Sequence, residues 1–235
     1  MTQPPKEIQG LLMLITGPAG AAKTALCRRL AAAHPEIERV VTCTTRAPRP
    51  GERDGIDYNF LSDVEFDKAT LNDEFLEWTL VHGARFGTKK NSLCPKVARN
   101  VDLMINVDLR GARVYRQAFE GDASVRSRVV RLFITPPDAE TIQQQLQDRG
   151  DVLTDPLDQR VKTSRHEMEQ WTQQDYCIVT GAADDDLARI ESIWRAEKCR
   201  VARLRHVATL AAAWMRAEST IPFAPLPPTE RAVAV

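Results

Sequence analysis

Apolar residues come along this chain in short unbroken runs, separated by stretches in which they recur at helical spacing. The runs are Leu11-Leu12-Met13-Leu14-Ile15-Thr16, Leu103 to Val107, Val129 to Ile134 and Cys177 to Thr180. Each has the length and residue types of a strand buried on both faces. Ala25 to Ala31 follows the first run as a helix, and Ala139 to Leu146 follows the third, with Asp138 suited to its N-terminus. Such alternation predicts an α/β fold on a parallel sheet. Val40 to Arg46 is β-branched and strand-like, and it runs into Pro48-Arg49-Pro50-Gly51-Glu52-Arg53-Asp54-Gly55, a loop by its prolines and glycines. After Asp184-Asp185-Asp186 the positions Leu187, Ile190, Trp194, Val201, Leu204, Val207, Leu210 and Trp214 keep helical period. They predict one long helix, or two with a break near Glu197 to Cys199, whose apolar stripe, Trp214 included, covers the core or a second subunit. Ile221 to Pro228 holds too many prolines for a helix and reads as an extended, mostly disordered tail.

Composition sharpens this only in places. The 235 residues suffice for one sizeable α/β domain with appended lobes. Lys and Arg number 32, as do Asp and Glu, so the formal net charge is zero. Nothing there calls for nucleic acid or an anionic membrane, and any anion site must be built from locally placed cations. No apolar run approaches a membrane span, and Met1 to Lys6 lacks a signal pattern, so the expected setting is cytoplasmic. Five cysteines, odd in number and scattered, predict reduced and mostly packed thiols.

The chemistry concentrates in Gly17-Pro18-Ala19-Gly20-Ala21-Ala22-Lys23-Thr24. A glycine-rich turn between a buried strand and a helix points backbone N–H groups into one concavity, where the helix N-terminus adds positive charge. Lys23 would reach the terminal phosphates of a nucleoside triphosphate, and the Thr24 hydroxyl would ligate its Mg2+. The pattern asks for glycine where Ala22 stands; if that position needs φ > 0, a Cβ there costs roughly 1–2 kcal/mol. The blander alternative is an ordinary strand-turn-helix with a chance Lys-Thr. Arg46 and Arg49, three apart on a stiff loop and followed by Tyr58, would make a fork for one phosphate group, or else belong to a solvated charged turn.

Thr42-Cys43-Thr44-Thr45-Arg46-Ala47-Pro48-Arg49-Pro50-Gly51-Glu52, with Gly55, Tyr58 and Phe60 after it, resembles the substrate-binding segment of guanylate kinases. The similarity continues through Phe75 to Trp78, Gly87-Thr88, Val107-Asp108 with Gly111, Phe133 to Pro137, Arg149-Gly150 and Asp175 to Val179. It implies a three-layer phosphate-loop core with a parallel sheet, a small mixed-sheet GMP-binding lobe (about 41–93), a helical lid (about 138–168) and, past the family's usual end, a C-terminal helical extension. The implied division is 8–200 for the kinase-like domain, 201–220 for the extension and 221–235 for the proline-rich tail.

The same resemblance implies the site. Gly17 to Thr24 would bind ATP; Lys23, Arg149 and Arg160 would be catalytic; Thr24 would meet the metal, with Asp108 steering its water shell. Thr42, Glu77, Thr88 and Asp108 would bind guanine, and Arg46, Arg49 and Tyr58 the monophosphate. One carboxylate can accept both N1–H and the exocyclic amine of guanine, and Glu77 is the choice for that role; without the flanking motifs, Glu77 reads rather as a surface acid on an amphipathic helix, the commoner fate of Glu before Trp. The chain departs from the family's pattern at Ala22, Phe86 (a second tyrosine), Asn106 (an acid), Gln145 (an arginine) and Thr180 (an asparagine), and Arg165 is a candidate to replace the missing arginine. The expected activity is transfer of the γ-phosphoryl group of Mg-ATP to GMP or dGMP by a monomer or homodimer, with no nucleic acid or membrane partner. The alternatives are a kinase for another deoxy or modified monophosphate and a noncatalytic binding module.

Overall fold

The strand β1 (Leu12–Thr16) is buried along its whole length because it lies at the centre of a parallel sheet with helices on both faces. The structure, a computed structural model, describes residues 9–148 and 157–216. After β1 come α1 (Lys23–Ala33), β2 (Ile37–Arg39), β3 (Cys43–Thr44), β4 (Asn59–Phe60), α2 (Asp63–Leu71), β5 (Phe75–Val81), β6 (Ala84–Lys89) and α3 (Lys90–Ala98). They are followed by β7 (Asp102–Asn106), α4 (Leu109–Ala118), α5 (Ala123–Arg126), β8 (Val129–Thr135), α6 (Ala139–Asp148) and α7 (Leu157–Met168), then β9 (Tyr176–Val179), α8 (Ala183–Lys198) and α9 (Arg205–Arg216).

The core sheet has the order β2-β7-β1-β8-β9, all parallel, with Leu12 opposite Leu103 on one side and Val129 on the other. Alternation along β1 separates two cores. Leu11, Met13 and Ile15 pack with Leu26 and Leu30 of α1 and Ile190 and Trp194 of α8. Leu12 and Leu14 face the other way, toward Leu93 of α3 and Ala112 and Tyr115 of α4. The expected three-layer α/β core is therefore present. Edge strand β2 went unread in the sequence because three residues are too few to show a period.

The second sheet, β4-β3-β6-β5, is mixed: β3 runs parallel to β4, and β6 is antiparallel to both β3 and β5. Phe66 and Ala69 of α2 close its far side against Cys43 and Phe75. A reciprocal capping box, Ser62 with Glu65, starts α2. On β5 burial alternates, so Glu77 and Thr79 point inward while Trp78 and Leu80 are exposed. Glu77 is thus an inward strand residue, and the amphipathic-helix reading of it is set aside.

At the C-terminal end the chain breaks at Cys199 into α8 and α9, the two-helix form of the expectation. The stripe divides with it. Ile190 and Trp194 are buried, whereas Val201, Val207 and Trp214 are exposed, so of the two expected places for Trp214, the core or a second subunit, the core is excluded. The turn at Val201–Arg203 redirects the chain, and it is held by Arg203, which is buried and donates to the buried Glu197 carboxylate, itself accepting from the Tyr176 hydroxyl. The cysteines also need correction: all five are free thiols, but only Cys27 and Cys43 are buried, because Cys94, Cys177 and Cys199 fall on outer faces. Asp138 accepts from the Thr141 N–H at 2.7 Å and caps α6 as expected. The expectations for Arg149, for the 149–156 part of the lid, and for residues 217–235 fall outside the described residues. Among the described residues no helix is long and apolar enough to cross a membrane.

Candidate active site

The loop from Gly17 to Thr24 joins the carboxyl end of β1 to α1, the place where open parallel sheets bind ligands. Gly17 is required there, since a Cβ would lie 2.0 Å from the Ile134 carbonyl oxygen. Lys23 folds over the turn and donates to the carbonyl oxygens of Gly17 (2.5 Å) and Pro18 (2.7 Å). Ala22 has φ 52° and ψ 16°, the left-handed conformation, so the glycine missing from the pattern would have had a use. Its side chain is exposed and is not among the residues lining the cleft, so it leaves the anion cradle open. Ala22→Gly is expected to raise stability by about 1 kcal/mol, read as a higher denaturation midpoint; an unchanged midpoint would mean that the loop already tolerates the Cβ.

Gly17, Ala19, Lys23 and Thr24 line an open cleft. The same cleft is lined by Arg46, Arg49, Tyr58 and Phe86 of the mixed-sheet lobe, and by Thr42, Glu77, Thr79, Asn106 and Asp108. Phosphate loop and arginine fork therefore share one cavity. Thr88 stands behind it: the residue is fully buried, is not among those lining the cleft, and its hydroxyl donates to Glu77 Oε1 at 2.7 Å, which orients the carboxylate. Arg160 is buried on α7 outside the lining set, and Arg165 is exposed. Gln145 packs against the loop, its Oε1 3.7 Å from where a Cβ on Gly20 would lie.

The arginine fork is held by Glu52. Arg46 donates to both carboxylate oxygens, at 2.6 and 2.8 Å, and the Arg49 N–H donates to one of them at 2.9 Å. Burial pushes the Glu52 carboxyl up, but these bonds and charges outweigh it and hold the group below its ordinary range. The Arg46 guanidinium lies 4.9 Å from the centre of the Tyr58 ring, and the Phe86 ring meets Tyr58 edge-on at 6.0 Å. Phe86 lines the cleft without a hydroxyl where a tyrosine would offer one.

Glu77, 8% exposed, is pushed up to about 7 by burial, with the Asp108 charge adding to the rise and hydrogen bonds from Thr88 opposing it. Its Oε2 would be 3.0 Å from a Cβ on Gly111, so the absence of one lets α4 approach the carboxylate. Asp108 caps α4, accepting the Gly111 N–H at 2.7 Å, and burial raises it as well. A third carboxylate, Glu167 of α7, also lines the cleft; burial raises it to about 7, opposed by the Lys23 charge and an Ala19 N–H. Glu52 ends the segment that resembles the family but was given no role there, and Glu167 gave no sequence signal, since it reads as an ordinary charge in a polar stretch.

Asn106 donates to Thr24 Oγ1 at 3.1 Å, which keeps that hydroxyl oxygen aimed into the cleft. Mg2+ retains several waters and takes few protein ligands. One hydroxyl at the phosphate loop, with Asp108 nearby to bind through water, suits it.

A phosphate loop on a parallel sheet, facing a small mixed-sheet lobe across a shared cleft, defines a phosphate-loop nucleotide kinase. The chain belongs to the guanylate kinase family, whose family model matches residues 9–197. It is similar to the guanylate kinase of Maricaulis maris, 37% identical over 198 residues, which are 84% of this chain and 87% of that one. It is likewise 35% identical over 196 residues to the guanylate kinase of Geobacter sulfurreducens, covering 83% of this chain and 93% of that one. The crystal structure of guanylate kinase from Anaplasma phagocytophilum superposes with a TM-score of 0.70 at 25% identity, over 88% of this chain and 96% of that one.

Proposed function

We propose that this protein transfers the γ-phosphoryl group of ATP to GMP or dGMP in the cytoplasm, giving ADP and GDP or dGDP. The observation that carries the reading is the single cleft lined both by Lys23 and by Arg46, Arg49 and Tyr58. Donor and acceptor anions gathered there would meet in line, and positioning with charge neutralisation supplies most of the rate of such transfers.

In this reading Arg46, Arg49 and Tyr58 hold the acceptor phosphate, with Glu52 keeping the fork extended. Glu77 accepts guanine N1–H and the exocyclic amine, and the Thr42 hydroxyl donates to the opposite edge. Adenine presents no such pair of donors and would leave the buried carboxylate with only its Thr88 bonds and none from the base. The phosphate-loop N–H groups and Lys23 bind the triphosphate, and Arg149 and Arg160 are assigned to charge on the transferring group. Mg2+, held by Thr24 and the nucleotide phosphates, would neutralise phosphate charge when bound.

The test is a coupled assay of the full chain with Mg-ATP and GMP, dGMP, AMP, UMP or dTMP. Turnover confined to the guanine nucleotides is expected; preference for another base would overturn the assignment of Glu77. Phe86→Tyr adds a hydroxyl to the acceptor pocket, and one hydrogen bond to a charged group contributes about 1.5–3 kcal/mol. The KM for GMP is therefore expected to fall by roughly 10- to 100-fold. An unchanged KM would show that the pocket already compensates. A noncatalytic module of the same fold is not favoured, because Lys23 and Thr24 both remain and both line the cleft.

A further inference from the structure

Asp57 is 2% exposed, carries a charge, and takes no part in lining the cleft. Its carboxylate meets groups from three elements. Oδ1 accepts from Arg28 Nε at 2.7 Å and lies 2.6 Å from Arg28 Nη2. Arg39 Nη1 is 3.5 Å from the same oxygen, and Oδ2 accepts the Arg53 N–H at 2.9 Å. Arg39 also donates to the backbone carbonyls of Asp57 (2.6 Å) and Ile56 (3.0 Å). Burial pushes the Asp57 carboxyl up, yet the Arg53 N–H, the Arg28 hydrogen bond and the Arg28 and Arg39 charges together hold it below the ordinary range.

The position of these groups matters more than their number. Arg28 is on α1, the helix that begins with Lys23 and Thr24, and Arg39 ends the core strand β2. Asp57 belongs to the other lobe and immediately precedes Tyr58, which lines the cleft. A buried carboxylate removed from water is expensive unless every partner is in place, so this contact has one geometry and resists sliding.

We propose that Asp57 is a positioning residue that bolts the acceptor loop to the phosphate-loop helix and so fixes where Tyr58 presents its hydroxyl to the acceptor phosphate. The inference rests on the kinase reading above and adds to it a contact that couples the two halves of the cleft without touching either substrate. Displacing Tyr58 weakens capture of the monophosphate while leaving the triphosphate side intact.

The test measures KM for GMP, KM for ATP and kcat in the full chain. Asp57→Asn is expected to raise the KM for GMP about tenfold, with kcat and the KM for ATP within about twofold, and Asp57→Glu to recover part of the loss. Arg28, whose side chain is 48% exposed, can be removed with little risk to folding. Arg28→Ala should raise the KM for GMP about threefold and add nothing to Asp57→Asn, since both cut the same link. A KM for GMP unmoved in Arg28→Ala and in whichever Asp57 variant folds overturns the proposal. So does a fall in apparent kcat alone, which is what a smaller folded fraction produces. Absence of GMP turnover in the wild-type chain would instead refute the kinase reading, and this inference with it.

Discussion

Glu77→Gln is expected to lower kcat/KM for GMP about 10³-fold, because it removes two hydrogen bonds to an ionised acceptor at roughly 1.5–3 kcal/mol each. The glutamine keeps the shape of the side chain but turns an amine toward the guanine donors, so AMP turnover should change little. The wild-type pH profile carries the same signature. With Glu77 near 7 in the empty pocket, the ionised form that guanine needs declines below neutrality. The kcat/KM for GMP should then fall about tenfold for each pH unit on the acid side. Glu167 titrates in the same range and lines the same cleft, so Glu167→Gln is the control, and it should leave this limb in place.

Stability should move the opposite way. Folding raises the Glu77 carboxyl above its ordinary 4.5, so the native state favours the protonated form. The penalty is absent below that value, grows between it and about 7, and is complete above, reaching about 3 kcal/mol. Glu77→Gln should therefore raise Tm at pH 8 and lose that advantage at pH 4. A variant that keeps full GMP activity would remove Glu77 from the guanine site, and one that melts lower at pH 8 would remove the burial penalty on its charge.

Lys23→Ala is the second large effect. The ammonium group closes the phosphate loop through the Gly17 and Pro18 carbonyls and lines the cleft beside the phosphate loop. Loss of one such stabilising donor lowers kcat by about 10²–10³. Calorimetry with Mg-ATP should show weakened binding in Lys23→Ala against clear binding in the wild type. Equal heats from both would speak for a fold that has given up catalysis.

The sequence carried the sheet and the phosphate loop because both are local: four apolar runs, one glycine-rich turn, and a helix after it. The acceptor segment was legible as a pattern of Arg46, Arg49 and Tyr58, since a proline-stiffened loop fixes their spacing. What stayed hidden depends on partners distant in the chain. Glu77 could not be told from a surface acid until β5 placed it inward, and Thr88 turns out to serve Glu77 before any ligand. Ala22 shows a left-handed backbone only once the turn is built. Trp214 kept helical period with Trp194 through a chain break that changes direction, so its exposure was invisible to any one-dimensional reading.

The buried Glu197, shared between Tyr176 and Arg203, bears on how the chain can be shortened. The family match stops at residue 197, which invites treating the residues after it as a removable appendage. A truncation just past Lys198 would take Arg200 and Arg203 away from an acid held in the protein interior, which would keep the bond from Tyr176 but lose its cationic partners. The boundary suggested by likeness to relatives is thus not a boundary of mechanical independence, and the few residues up to Arg203 are part of the kinase fold in this chain.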